Sequence, residues 1–401
     1  MSDEHAANPS PKTTAGKARA DALQAVLHAS GPAHIVRAPG RVNLIGEYTD
    51  FNLGFVLPAA IDREIWLAFE AWERPGVELT SVELNETRSF DFDSLAPKAR
   101  SDTTWIDYVA GTAWAMLEAG LPLRGFRGVL DSTIPLGSGL SSSAALEMAS
   151  SLALADPRTA RPPAARMAAI AQRAENAYVG VNCGIMDQFA SAAGRANNAL
   201  LIDCRSNEAT LTPLPTELSI VVCDTSAPRR LGIDYNKRRE ECELGVSVIA
   251  QREPGVKSLR DVDAAMLARN IDRMPEEVGR RCQHVVDENE RVMETVVALR
   301  DGDLAALGRL FAASHNSLRD LLEVSCPELD LMVEIADTVP GVIASRMTGG
   351  GFGGCTVSLV THGTEEALRE TVMRGYTART GLSPKVYAVA AVDGAGELLR
   401  P

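Results

Sequence analysis

The chain has no apolar run approaching the ~18 to 20 residues that cross a bilayer, so no membrane-spanning helix and no membrane partner is expected. Cysteine is sparse and scattered: the seven, at positions 183, 204, 223, 242, 282, 326 and 355, form no CxxC pair. That spacing fits neither a disulfide scaffold nor a metal knuckle. Positive charge is short as well, with 40 Lys and Arg against 53 Asp and Glu and a formal charge of −13. The protein's own field would oppose nucleic acid or anionic lipid, so no nucleic-acid partner is expected and any phosphate must be held locally. The first residues, Met1 to Ser10, lack a basic stretch leading into an apolar one, so no secretory signal is read and a cytoplasmic protein is expected.

The 401 residues, 45% hydrophobic and 23% charged, have the balance of an ordinary globular protein with a sizeable core. Length alone suggests two to three domains. Residues 1–20 are polar and without periodicity, and read as a mobile tail. From His34 to Ala68 the text is strand-like, punctuated at Pro39-Gly40, Asn52 and Gly54. A further strand, Gly128 to Ile134, runs into a Gly/Ser cluster, after which Ala144, Ala145, Met148, Ala149 and Leu152 recur at helical spacing. A helix is expected over Pro163 to Tyr178. Asn207 to Leu218, with Pro213 and Pro215, reads as a domain junction, followed by a buried strand at Ser219 to Cys223. Helical text then dominates from Tyr235 to Asp337, and the end returns to strand, helix and strand at Cys355–Val360, Glu365–Thr380 and Val386–Val389. The fold class expected is α+β in two parts, residues 21–212 and 213–401.

Four constellations carry chemistry. Pro135-Leu136-Gly137-Ser138-Gly139-Leu140-Ser141-Ser142-Ser143-Ala144-Ala145 lies between strand and helix. Its glycines let backbone approach a ligand, and its serines sit at a helix N-terminus, where unpaired N–H groups favour an anion. No lysine follows, so this is not a Walker loop; a serine cap after a flexible turn is the alternative. Gly349 to Gly354 formally matches GxGxxG, but a strand follows where a dinucleotide fold needs a helix, so the glycines serve close backbone approach or a plain hairpin. Arg37 to Phe51 packs cations, carboxylates and a phenol into one strand-loop, suited to orienting a polyol or else a solvated turn. Asp187, flanked by Ile185, Met186 and Phe189, is oddly apolar in its setting, as a base, a cation partner or a helix cap would be.

In chain order these segments resemble the galactokinases of the GHMP small-molecule kinase superfamily. Gly40–Phe51 is similar to the galactokinase signature, Pro135–Ala145 to the PxGxGLSSSAA phosphate loop, Gly184–Phe189 to the catalytic-Asp segment and Gly349–Gly354 to the late glycine motif. Tyr235–Glu243, Ser314-His315 and Ser325–Asp330 match too, so the resemblance runs from about residue 20 to the end.

The resemblance implies a two-domain GHMP kinase fold, the N-terminal domain like ribosomal protein S5 domain 2 and the C-terminal one ferredoxin-like. It implies ATP-dependent phosphorylation of α-D-galactose at C1, giving galactose 1-phosphate and ADP, as in the Leloir route of galactose catabolism. Asp187 would be the catalytic base, steadied by Arg41. Glu47, Tyr48, Thr49, Asp50, Asp187 and Tyr235 would contact the sugar. Gly137, Ser138, Gly139, Leu140, Ser141, Ser142 and Ser143 would wrap the nucleotide's phosphates, with Trp105 in the adenine pocket. Ser143 and Glu175 would hold Mg²⁺, which favours hard oxygen ligands. Partners would be a small-molecule sugar and ATP, with a monomer or weak oligomer as the assembly. The sequence departs at two positions: Tyr48 stands where the family carries His, and Phe51 where it carries Tyr. These departures raise a kinase for another sugar, such as a galactose epimer, an amino sugar or a uronic acid, as the alternative. A non-catalytic galactose sensor is a further one, disfavoured by the intact phosphate loop and Asp187.

Overall fold

A computed structural model describes residues 14–28, 33–97, 102–135, 137–228 and 231–399. Three sheets organise them. The largest runs, in strand order, Gly396–Leu399, His34–Asn43, Pro58–Trp72, Gly125–Ser132, Gly76–Ser81 and Glu86–Asp91. A second has Val342–Thr348, Cys355–Thr361, Leu218–Asp224 and Lys385–Val389; a small third joins Phe55–Val56, Asn198–Asp203 and Glu208–Pro213. The chain's end returns to its beginning, because Gly396–Leu399 pairs antiparallel with His34–Asn43 as the edge of the first sheet.

Helix Ser142–Leu154 packs against the strands His34–Asn43 and Pro58–Trp72. All five residues expected on its apolar face, Ala144, Ala145, Met148, Ala149 and Leu152, are buried. Alanines there bring helix and sheet backbones close, which fixes the loop feeding the helix over the sheet's end. The 26-residue helix Glu276–Asp301 carries its buried face against Leu304–Asp320 and the small sheet, reaching the loop after His34–Asn43.

Several expectations are corrected. Pro39-Gly40 does not end a strand: it is a bulge inside His34–Asn43, where the register shifts between Pro39 and Arg41. The bulge needs glycine, because a Cβ at Gly40 would stand 2.4 Å from the Leu140 carbonyl oxygen. The expected mobile tail is helical from Thr14, in Thr14–Leu27; Ala20 and Leu23 pack on Trp66, and Arg19 Nε donates to Asp131 at 2.7 Å. Residues 1–13 of that tail lie outside the described ones. The stretch read as a junction is partly a strand, Glu208–Pro213, paired on one side and mostly exposed on its faces, which is why it lacks an apolar period. The helix expected to Tyr178 is α-helical over Ala164–Arg173 and then widens into a π turn, Ala174–Val179. Among the described residues no helix is long and apolar enough to cross a membrane.

Candidate active site

A cleft of about 400 Å³ opens where the phosphate-loop segment, the Gly46–Phe51 loop, helix Met186–Ala193, helix Leu231–Ala250 and the late glycine turn meet. It lies in the usual size range of small-molecule sites. At its centre Arg41 and Asp187 form a forked pair, with Nε on Oδ1 and Nη2 on Oδ2, both at 2.7 Å. Fork-to-fork geometry fixes a carboxylate in both position and plane. The third guanidinium nitrogen, Nη1, donates to the Gly139 carbonyl at 2.7 Å, so one arginine ties the carboxylate to the phosphate-loop backbone. Ser141 adds a bond to Asp187 Oδ2 at 2.5 Å. Oδ1 accepts one of these bonds and keeps a lone pair for another donor.

Ser141 precedes helix Ser142–Leu154 in the left-handed region, φ 63°, following Gly137 (72°) and Gly139 (82°) in the same region. With its hydroxyl on Asp187, it makes no side-chain cap. The first-turn N–H groups of the helix therefore meet the cleft without a protein cap, together with the positive end of its dipole. That is an anion seat, and Gly137, Gly139, Ser141, Ser142 and Ser143 all line it.

Opposite the loop stand Glu47, Tyr48, Asp50 and Tyr235. Tyr48, at φ 67°, donates its hydroxyl to the Gly350 carbonyl at 2.7 Å, and its ring meets Tyr235 at 5.1 Å and Phe51 at 6.0 Å between centroids. The phenol is thus turned to the glycine turn and closes one wall of the cleft with aromatic surface. Asp50 accepts from the Phe51 N–H at 2.9 Å and sits below Gly184, whose missing side chain leaves room for its carboxylate.

Burial, and then the Asp187 charge, push the Asp50 carboxyl up from 3.8 to about 6. Because the folded pKa lies above the unfolded one, Asp50 costs stability at neutral pH, and the cost shrinks as pH falls below about 6 and is gone below 3.8. Asp50→Asn is therefore expected to raise Tm at pH 7.5, with a smaller gain at pH 5, while weakening sugar binding. Parallel thermal melts at the two pH values and a binding titration check this; an unchanged Tm at pH 7.5 would contradict it.

Glu175 sits on the π turn, and burial followed by repulsion from Asp187 raises its pKa, against bonds from Cys183, Ser143 and Gln188. Glu147 is raised by burial and by Glu175, and its Oε1 is buried without a partner. Gln188 Nε2 bridges the two, at 2.7 Å to Glu175 and 3.1 Å to Glu147. Crowded, desolvated carboxylates beside the Ser143 hydroxyl are a donor set that a hard divalent cation would suit. Among the described residues no three His, Cys, Asp or Glu side chains converge as a metal site.

Four residues expected at the ligand do not line the cleft. Thr49 is fully buried, its hydroxyl shared by the Gly46 and Phe55 carbonyls at 2.8 and 2.6 Å. Ser138 turns its hydroxyl to Pro135 at 2.8 Å, and Leu140 is core. Trp105 begins a helix, and its indole nitrogen donates to Glu86 at 2.8 Å. Tyr108, one turn further on, lines the cleft in its place. Sequence reading also missed Val181, Cys183, Asn236 and the buried pair Glu147–Gln188. Among the missed residues, Tyr108 included, only Tyr108 had a signal, since it shares the helix face of Trp105.

Three family models cover most of the chain: the galactokinase galactose-binding signature at residues 24–71, the GHMP kinases N-terminal domain at 107–195 and the GHMP kinases C-terminal region at 295–377. A galactokinase of Roseiflexus sp. (strain RS-1) is 42% identical over 369 residues, spanning 92% of this chain and 94% of the relative. One from Chloroflexus aurantiacus is 43% identical, over 91% of this chain and 93% of its own. Among solved structures, the Lactococcus lactis galactokinase complexed with galactose superposes with a TM-score of 0.89 at 33% identity, covering 96% of this chain and all of that one. The Methanococcus jannaschii mevalonate kinase shares the fold alone, with a TM-score of 0.63 at 17% identity over 91% of this chain and all of its own. By sequence and by fold together, the chain belongs to the galactokinase family of the GHMP kinases.

Proposed function

We propose that this sugar kinase transfers the γ-phosphoryl group of ATP to the C1 hydroxyl of α-D-galactose. The observation that carries the reading is the placement of Asp187: one carboxylate shared by Arg41 and Ser141, between an uncapped helix N-terminus and a wall of sugar-type ligands. Phosphoryl transfer demands in-line positioning and charge neutralisation more than covalent chemistry by the protein. Backbone N–H groups at Ser142 and Ser143 would hold phosphate oxygens, and Arg41 offsets charge that develops between donor and acceptor. Asp187 would take the C1 hydroxyl proton on Oδ1 as the bond to phosphorus forms.

Glu47, Asp50 and Tyr235 would orient the remaining hydroxyls; Ser143 and Glu175 would hold Mg²⁺, which when bound neutralises phosphate charge. The boundary near residue 213 would separate a half bearing phosphate loop and base from one bearing Tyr235 and the glycine turn. A cytoplasmic, monomeric or weakly associated enzyme is consistent with this reading.

Tyr48 favours one second reading, a GHMP kinase for a different sugar, because it replaces a polar contact with an aromatic wall. Tyr48→His is expected to shift relative kcat/KM among galactose, talose and galactosamine by roughly 3- to 10-fold, the scale of one neutral hydrogen bond, with little change in the KM for ATP. An unchanged sugar profile would remove position 48 as a specificity determinant.

A further inference from the structure

Glu47 ends a row of four charged groups, almost wholly out of water, whose other three members take no part in the chemistry above. Arg346, on strand Val342–Thr348, is 0% exposed, and its Nη2 contacts Glu47 Oε2. The same nitrogen lies 3.8 Å from Glu288 Oε1 on the long helix. Glu288 Oε2 in turn accepts from Arg291 Nε at 2.7 Å. The charges alternate, Arg291, Glu288, Arg346, Glu47, two of each sign. Arg291 and Arg346, with a bond from Ser314, hold Glu288 down at about 2 although burial pushes it up, so it remains an anion.

The same elements grip the backbone around Glu47. Glu288 Oε1 accepts from the Gly46 N–H at 3.1 Å and from Ser314 Oγ at 2.6 Å. His284 Nε2 faces the Glu47 carbonyl at 3.1 Å. A carbonyl only accepts, so Nε2 carries the proton and Nδ1 accepts from Ser317 Oγ at 2.8 Å, consistent with an imidazole that burial holds neutral at about 4. Asn289 Oδ1 accepts from the Phe55 N–H at 2.8 Å, and Arg346 Nη1 donates to the Leu44 carbonyl at 2.9 Å. On the cleft side, Glu47 Oε1 accepts from the Gly349 N–H at 3.1 Å.

Burying ion pairs costs desolvation, and apolar replacements of similar volume are often no less stable. Stability alone therefore does not account for four charges here. What they supply is a carboxylate whose position is set from three elements at once, with its outer edge at the cleft.

We propose that Glu288 and Arg346 are positioning residues for the sugar: through their ion-pair row they aim the Glu47 carboxylate into the cleft, and so set sugar affinity without touching the sugar. The inference rests on the cleft being a sugar site. The test compares wild type with Glu288→Gln, Arg346→Lys and Arg291→Gln, measuring galactose affinity by calorimetry, KM for galactose and for ATP, and kcat. In Glu288→Gln the remaining oxygen can keep the bond to Gly46, while the charge is lost and the NH₂ end meets Arg291 Nε, donor against donor. Galactose KM and Kd are expected to rise about tenfold for Glu288→Gln and Arg346→Lys, the equivalent of one misaimed charged contact. For Arg291→Gln, at the outer end of the row, the expected rise is about threefold. ATP KM and kcat stay within about twofold, whereas a merely destabilised protein loses active fraction, lowering kcat with both KM values unmoved. Unchanged galactose affinity in folded variants, or equal rises in both KM values, would overturn the proposal. Should either inner variant not fold, Arg291→Gln, whose side chain is 13% exposed, decides alone. Wild-type protein that binds no galactose overturns the sugar reading beneath, a result separable from any variant's.

Discussion

Asp187→Asn is expected to lower kcat at least ~10²-fold, the scale of a lost general base, while ATP still binds. The amide keeps the shape of the carboxylate but has no basic oxygen pair, and it cannot satisfy Arg41 on both prongs. Arg41 presents Nε to Oδ1 and Nη2 to Oδ2, so one prong would meet an NH₂ group, donor against donor. Ser141 can rotate to accept from that group; a guanidinium cannot. Some displacement of Arg41, and through its bond to Gly139 of the phosphate loop, is therefore part of the expected effect. Asp187→Ala separates the two losses, since it removes the base without a competing donor. Both variants are checked by single-turnover phosphoryl transfer alongside nucleotide binding. Near-normal turnover in folded Asp187→Asn would remove Asp187 as the base.

Gly184→Ala is expected to raise the galactose KM by ~10- to 100-fold, the value of one or two charged hydrogen bonds, with a smaller effect on kcat. An alanine Cβ would sit 1.8 Å from Asp50 Oδ2 and 2.1 Å from its Cγ, which is inside any tolerable contact. The Asp50 backbone is held by its turn, so the carboxylate must swing out of the cleft and give up the Phe51 N–H at 2.9 Å. Gly184 is not in the left-handed region, so no backbone strain accompanies the substitution and the fold is expected to survive. Calorimetry with galactose and steady-state kinetics check it. An unchanged galactose KM would show that Asp50 is not a sugar ligand.

The parts of the site that could be read in the sequence are those whose chemistry is local. The phosphate loop declares itself because glycines, serines and a helix start must be contiguous for an anion to meet N–H groups. Asp187 stands out because its neighbours are apolar. What could not be read depends on residues far apart in the chain. Arg346 reaches Glu47 and Leu44 across some 300 positions, and neither a lone arginine in a strand nor a glutamate in a long helix signals such a partner. Glu147, in the middle of an Ala-rich helix, carries no local signal of the fold's burying it against Gln188 and Glu175.

Local text also misled where tertiary need overrides propensity. Pro39-Gly40 looks like a strand end but is a bulge that lets the Leu140 carbonyl approach and accept from the Arg41 N–H at 3.1 Å. Trp105 looks like a ring for a base to stack on, yet its place at the first turn of a helix points it to Glu86, and Tyr108 takes the cleft side. Tyr48, a departure from the family's pattern, reads as a changed sugar contact; the fold shows its hydroxyl bound to Gly350, with the ring as a wall.

The measurement that tests the central claim most directly is ADP release by the purified protein with Mg-ATP across galactose, glucose, mannose, talose, galactosamine, galacturonate and arabinose, with phosphorus NMR on the product. Strongest turnover on galactose, with the phosphate on C1, is the predicted result. Turnover strongest on another sugar, or none on any sugar while sugar and nucleotide still bind, would contradict it.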